Sequence, residues 1–210
     1  MRLVSAIILA GGKSRRLGTD KALLEFEGQP IIGRVLKRLR RLSDDVIIVA
    51  KDTAAYAQFG ARLATDVYPG HGALVGLHAG LRAARHPSAL AVACDMPFLD
   101  LRLLRFMIVA GKAYDVVMPR IGGLPEPLHA LYRVERCLPA IEQSLDSGQF
   151  KMTSFLPRLR VRYLEEHEVD LFDPERLSFF NVNTPEDWQR GQELARRLDR
   201  QRPLRRGGRS

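Results

Sequence analysis

Cysteine is scarce: Cys94 and Cys137 are the only two in 210 residues. That excludes a disulfide framework, and a reducing cytoplasm is the simplest compartment for the chain. Long apolar runs are missing as well. None approaches the roughly 18 residues that cross a bilayer, so no membrane partner is expected. The first apolar stretch, residues 3–10, ends in Gly-Gly and a basic loop. It has neither the basic start nor the small-residue cleavage site of a signal peptide. His71, His78, His86, His129 and His167 stand at no spacing from the cysteines that suggests zinc. No Ser/His/Asp arrangement is legible either.

Acidic charge is short relative to basic, and the net charge is +9. The excess is unevenly placed. From Arg196 to Ser210 there are seven Arg and one Asp, which is +6 of the +9. The last residues have almost nothing apolar to bury and should be disordered. The reading is therefore a single domain over residues 1–198 and a basic tail over 199–210. With so little excess charge left on the body, no specific nucleic-acid partner is expected.

What is present is a hydrophobic fraction of 46%, ordinary for a chain that builds its own core. Residues 3–9, 46–49 and 90–93 are short, near-continuous apolar runs, as in strands covered on both faces. Between them, residues 31–42 place Ile31, Val35, Leu36, Leu39 and Leu42 on one helical face. Residues 74–84 and 101–110 also read as helices. This alternation predicts an α/β fold: a three-layer sandwich with a mostly parallel sheet. Later, residues 115–118 and 128–132 read as strands and 134–145 as a helix. Residues 122–127 read as a loop from their Gly and Pro. Thr184-Pro185-Glu186-Asp187 is a helix start, with Thr184 as N-cap and Pro185 at the first position.

Chemistry gathers first at Leu9-Ala10-Gly11-Gly12-Lys13-Ser14-Arg15-Arg16-Leu17-Gly18-Thr19-Asp20-Lys21. Glycines at a strand end let backbone N–H groups approach a phosphate with no Cβ in the way. Lys13, Arg15, Arg16 and Lys21 supply the charge to neutralise a triphosphate. The spacing is neither that of a P-loop nor Gly-x-Gly-x-x-Gly, so a P-loop NTPase and a Rossmann dehydrogenase are both excluded. Second is Cys94-Asp95-Met96-Pro97, directly after an apolar strand. A carboxylate there sits where open α/β sheets bind ligands, and Mg2+ takes one or two carboxylates together with substrate phosphates and water. An Asp after a strand is often only a turn residue; beside a triphosphate loop it reads as a metal ligand. Third, Asn181 and Asn183 are spaced by two, which puts both on one side of an extended strand.

These segments together resemble the molybdenum cofactor guanylyltransferases. Their Leu-Ala-Gly-Gly-x-x-x-Arg-Met-Gly-x-Asp-Lys motif is matched from Leu9 to Lys21, with Leu17 in place of Met. Cys94–Pro97 is similar to the family's Cys-Asp-x-Pro, whose Asp holds Mg2+. Asp66 and residues 70–76 are similar to its guanosine-site segment, with Ala73 and Val75 as departures. Phe180–Asp187 resembles its Asn-x-Asn-Thr-Pro-Glu motif, and Pro125–Tyr132 its Pro-x-x-Ala-Leu-Tyr segment beside the acceptor. One departure concerns the second strand. It ends Ile48-Val49-Ala50-Lys51-Asp52 and has no Asn to contact the nucleoside, which leaves Lys51 or Asp52 as substitutes.

The resemblance implies a Rossmann-like mixed sheet of the nucleotide-diphospho-sugar transferase type. It implies a Mg2+-dependent, cytoplasmic enzyme that transfers GMP from GTP to molybdopterin, forming the guanine dinucleotide cofactor and pyrophosphate. Arg16, Lys21 and Asp95 would be catalytic, with Asp95 also the metal ligand. Leu9, Ala10, Gly11, Gly12, Lys21, Asp66 and Asp95 would bind GTP. Asn181, Asn183 and Pro127 would bind the acceptor. The partners implied are GTP, molybdopterin, and proteins that insert or deliver the molybdenum cofactor. Two other functions fit the residues: a nucleotidylyltransferase using CTP or a sugar phosphate, and a non-catalytic nucleotide-binding partner in cofactor delivery.

Overall fold

A computed structural model describes residues 4–10, 21–65, 68 and 72–200. Strands β1 (Val4–Leu9), β4 (Asp45–Val49), β5 (Arg62–Ala64) and β6 (Ser88–Ala93) form the parallel half of the main sheet. Strands β2 (Glu25–Phe26) and β3 (Gln29–Pro30) make a separate small hairpin. The other half holds β7 (Val116–Ile121), β8 (Leu124–Pro125), β9 (His129–Arg133) and β10 (Val161–Leu164). The strand order is β10-β7-β9-β6-β1-β4-β5, with β8 paired to β7. β9 runs antiparallel to both β6 and β7, whereas β10 pairs with β7 in parallel. The sheet is thus mixed and mostly parallel, with helices on both faces.

Alternation along the strands builds the layers. In β1, Val4, Ala6 and Ile8 face one side. There they meet α1 (Ile31–Leu39) through Val35, Leu36 and Leu39, and α3 (Leu101–Ala110) through Leu103, Leu104 and Met107. Ile7 faces the other side, where α2 (Ala73–Ala83) brings Leu74, Leu77 and Leu81, and α4 (Val134–Asp146) brings Ile141 and Leu145. Each fully buried aliphatic side chain of this kind contributes about 1.5–3 kcal/mol of transfer free energy. The helix expected over 31–42 stops at Leu39; residues 40–42 turn, and Leu42 still packs into the core.

A third apolar cluster holds the C-terminal helix. α6 (Pro185–Arg200) packs Trp188, Leu194 and Ala195 against Phe26, Phe98 and Val182. The helix runs past residue 198: Asp199 and Arg200 belong to it, and Asp199 pairs with Arg34 at 3.2 Å. The short helix α5 (Glu166–Asp170) lies between β10 and this region.

The segment 122–127, expected as a loop, contains a hairpin. Gly122 and Gly123 have φ of +57° and +76°. Two successive positive φ values are what a two-residue turn matching the twist of its strands requires, and glycine meets them without strain. The turn pairs Ile121 with Leu124 and Arg120 with Pro125. Asn181 and Asn183 also differ from expectation. They do not lie on a strand but on irregular backbone between a 3-10 turn over Leu177–Phe179 and α6. No described helix is long and apolar enough to cross a membrane.

Candidate active site

The sheet reverses its direction of growth at β1. The chain goes from β1 to β4 and β5 on one side, and then returns to place β6 on the other. Such a switch point opens a crevice at the carboxyl ends of the strands, where α/β sheets bind ligands. Of the predicted residues, Leu9, Ala10, Lys21, Asp95 and Asn183 are brought together there. Ala10 N–H donates to the Val49 carbonyl at 2.8 Å, and Cys94 N–H donates to the Leu9 carbonyl at 3.1 Å. These bonds carry the ladders past the strand ends and fix Leu9, Ala10 and Cys94 side by side.

Asp95 follows immediately. Its backbone carbonyl accepts the Val182 N–H at 3.1 Å. Val182 is buried, so it anchors the 180–183 segment onto the Asp95 loop. That contact brings Asn183 into reach of Lys21. Lys21 Nζ donates to Asn183 Oδ1 at 2.7 Å and lies 3.9 Å from Asp95 Oδ2. Asn181 is turned to local use, its Nδ2 donating to the Phe179 carbonyl at 3.1 Å. Pro127 sits on the other flank of Asp95. Its neighbour Leu128 accepts the Ala93 N–H at 3.1 Å, and its own carbonyl accepts the Tyr132 hydroxyl at 2.7 Å.

Asp95 is largely buried, with 17% of its side chain exposed. Burial pushes its carboxyl above the usual range; Lys21, and then a backbone hydrogen bond, pull it back only in part. Lys21 hydrogen-bonds Asn183 and pairs with Asp95 only at 3.9 Å, so the cost of burying the Asp95 carboxylate is not fully offset. That deficit, together with oxygen donors on Asp95 and Asn183, fits a hard divalent cation. No group of three or more His, Cys, Asp or Glu side chains forms a metal cage among the described residues. The remaining ligands would be phosphate and water oxygens, which suits Mg2+.

Gly11, Gly12, Arg16 and Asp66 lie outside the described residues. Asp52, one of the two substitutes for the missing Asn, caps its own turn by accepting the Ala54 N–H at 3.1 Å; Lys51 is exposed. A basin of about 350 Å3 lined by Arg40, Ser43, Arg62 and Arg85 opens at the opposite end of the strands from Leu9, Ala10 and Asp95. The sequence showed Thr184 as the cap and Asp187 as an acid of the first turn, but not the bonds that Asp187 makes. One Asp187 oxygen accepts both the Asn183 N–H at 3.0 Å and the Thr184 N–H at 2.9 Å, and Asp187 N–H donates to Thr184 Oγ1 at 3.1 Å. The Thr184-x-x-Asp187 spacing, a capping-box pattern, was the available signal. Its consequence is that the helix cap also fixes the backbone that presents Asn183 to Lys21.

The sequence profile of the MobA-like NTP transferase domain matches residues 6–163, three quarters of the chain. The chain belongs to this family. Among similar MobA-like proteins is a probable molybdenum cofactor guanylyltransferase of Pelotomaculum thermopropionicum, 39% identical over 195 residues, covering 93% of this chain and 95% of that protein. A molybdenum cofactor guanylyltransferase of Desulfosudis oleivorans is also 39% identical, over 91% of this chain and 96% of its own. In structure, the molybdopterin-guanine dinucleotide biosynthesis protein A of Archaeoglobus fulgidus superposes with a TM-score of 0.80 at 30% identity, covering 92% of this chain and all of that one. The Thermus thermophilus 2-C-methyl-D-erythritol 4-phosphate cytidylyltransferase shares the fold, with a TM-score of 0.70 at 17% identity, over 92% of this chain and 98% of that one. This MobA-like chain is therefore a nucleotidyltransferase of the α/β type that its strand pattern predicted.

Proposed function

We propose that this chain transfers GMP from GTP to molybdopterin, giving molybdopterin guanine dinucleotide and pyrophosphate. The observation that carries the reading is the meeting of Lys21, Asp95 and Asn183 at the switch point. The guanylyltransferase names of relatives matched along nearly their whole length support it. An oxygen of the acceptor's terminal phosphate bonds to the α-phosphorus of GTP, and the bond from that phosphorus to the β-bridging oxygen breaks. The nucleophile is already ionised, so no general base is required. The protein's task is to align two anions and offset their repulsion.

Leu9, Ala10, Gly11 and Gly12 present backbone to the nucleotide, and Asp66 receives the guanine. Lys21, held by Asn183, points its charge at the phosphates; Arg16 shares that charge on the leaving pyrophosphate. Asp95 would hold Mg2+, whose charge, when bound, stabilises the transferring phosphoryl group. Asn181, Asn183 and Pro127 border the acceptor. We read the chain through Arg200, where the last helix ends, as one catalytic domain, working in the cytoplasm and passing its product to proteins that insert or deliver the cofactor.

Pyrophosphate release tests the reading. The purified protein is given GTP, ATP or CTP with molybdopterin or with a panel of sugar phosphates. Release is expected with GTP and molybdopterin. Equal turnover of CTP, or turnover with a sugar phosphate alone, would replace the assignment. Thermal unfolding gives an independent check, since a ligand at ~100 times its Kd adds about 2.7 kcal/mol; GTP should raise the melting temperature more than ATP or CTP does.

A further inference from the structure

The turn that joins β8 to β9 carries a carboxylate, Glu126, with no partner among the described residues. Glu126 is half-buried, and burial pushes its carboxyl above the usual range. Among the described residues its carboxyl makes no hydrogen bond and no ion pair. Its backbone, by contrast, is held at both ends: Glu126 N–H donates to the Pro119 carbonyl at 2.9 Å, and its carbonyl accepts the His129 N–H at 3.0 Å. Pro127 at the second position of this turn stiffens it further. The two basic side chains that strand pairing and the turn place beside this segment, Arg120 and His129, are engaged elsewhere. Arg120 bonds Glu165 at 3.1 Å and lies over the Tyr163 ring, and His129 is buried with its imidazole pushed down to about 4, hence neutral. A partly desolvated carboxylate on a fixed backbone turn, with no cation paired to it among the described residues, is free to accept N–H donors from a ligand.

Its position in the sheet says which substrate that is. β6, the strand that ends at Asp95, lies between β1 and β9. β1 carries the Leu9–Ala10 nucleotide segment on one side. The Glu126 turn adjoins the end of β6 on the other side, through the bond from Ala93 N–H to the Leu128 carbonyl. The Glu126 turn therefore lies on the β9 side of the β6 end that leads into Asp95, and the Leu9–Ala10 segment on the β1 side.

We propose that Glu126 is a specificity-determining residue for the acceptor, its two oxygens receiving the ring N–H and exocyclic NH2 of a 2-amino-4-oxopyrimidine edge. The inference rests on the reaction proposed above. Guanine and a pterin share that edge; the topology assigns Glu126 to the pterin. The carboxylate matches two adjacent donors, and a site built to bond substrate N–H groups strongly rejects analogues that lack them.

Two measurements on the whole protein test it. Pyrophosphate release is measured for wild type, Glu126→Gln and Glu126→Asp while molybdopterin and GTP are varied separately. Glu126→Gln should raise the acceptor KM by about tenfold or more, as loss of a charged hydrogen-bond partner does. kcat and the GTP KM should stay within about twofold, and Glu126→Asp should recover part of the loss. In the second measurement, binding of 6-hydroxymethylpterin is followed by its fluorescence, with lumazine, which has a carbonyl in place of the 2-amino group, as competitor. Wild type should prefer the pterin, and Glu126→Gln should lose the preference. An unchanged acceptor KM, or no preference in wild type, overturns the proposal. A rise in the GTP KM instead would assign Glu126 to guanine and overturn it too. If wild type does not turn over GTP and molybdopterin, the proposed reaction fails, and the pterin–lumazine comparison still decides the role of Glu126.

Discussion

Lys21 and Asn183 are 162 positions apart in sequence, yet their side chains meet at 2.7 Å, with Asp95 Oδ2 3.9 Å from the same ammonium. Asn183 thus aims the lysine, and Asp95 sets the charge around it. This predicts energetic coupling. Lys21→Met should slow pyrophosphate release by about 10²–10³, the usual cost of one preorganised electrostatic contact. Asn183→Ala should slow it less, and the double variant should be little worse than Lys21→Met. The expected coupling is about 0.5–3 kcal/mol in a double-mutant cycle. Strictly additive losses would mean that the bond does not orient the lysine.

Asp95→Asn should cut turnover by about 10²–10³ or more without weakening the fold. Burial raises the Asp95 carboxyl above its usual range. The folded chain therefore holds that proton more tightly than the unfolded chain. Its contribution to stability is full at low pH and is lost as pH rises through the folded-state value. At neutral pH the variant has no such charge to desolvate, so it should melt at or above the wild-type temperature. Added Mg2+ with GTP should raise the melting point of wild type more than that of the variant. A variant that melts lower and turns over normally would make Asp95 a turn residue.

Asp45 should behave in the opposite sense. Burial pushes its carboxyl up, but the Ser5 hydroxyl at 2.6 Å, the Arg85 N–H at 2.9 Å and the Arg62 guanidinium at 2.7 Å outweigh this and hold it below the usual range. Stability from this group is present above the unfolded-state value, about 3.9 for Asp, and is lost as pH falls through the lower folded-state value. Melting curves at descending pH should show wild type losing an advantage over Asp45→Asn. Parallel curves would deny the carboxylate that role. At neutral pH the variant should be less stable by about 1–3 kcal/mol, because buried donors lose their acceptor.

Gly191→Ala tests the docking of α6. A methyl at this buried position would overlap the Phe26 ring and come within 3.3 Å of Phe180 Cε1. Alanine gains about 1 kcal/mol of helix propensity, whereas overpacking a core costs about 1–3 kcal/mol. The clash should win by about 1 kcal/mol. Because α6 leads from Asn183, turnover should fall along with the melting temperature. A stabilised variant would show that Phe26 yields freely.

The basic tail should be dispensable. A chain ending at Arg200 should match the full chain in turnover and melting. Ending at Leu198 removes the Asp199–Arg34 pair, which is exposed at Asp199 and worth about 0–1 kcal/mol. A tenfold loss of activity on removing residues 201–210, about 1.4 kcal/mol of barrier, would give the tail a function.

The sequence alone determined the elements whose signal is local. β1, β4 and β6 are near-continuous apolar runs because both faces are covered, and α1 shows its buried stripe at helical spacing. Residues 9–21 and 94–97 stood out because phosphate and metal chemistry demand particular residue types at strand ends. Tertiary structure alone decided how these pieces meet. Nothing local in Lys21 shows that it bonds Asn183. That contact exists because buried Val182 docks on the Asp95 carbonyl and Asp187 caps the helix that follows. The two asparagines look like a strand by spacing, but a 3-10 turn and a cap hold them instead. The strand at β9 was legible, but its antiparallel direction was not, because an apolar pattern carries no strand direction. The Gly122-Gly123 hairpin escaped because two-residue β8 is too short for periodicity to register. That Glu126 has no partner among the described residues was likewise invisible, since pairing is a property of the surrounding fold.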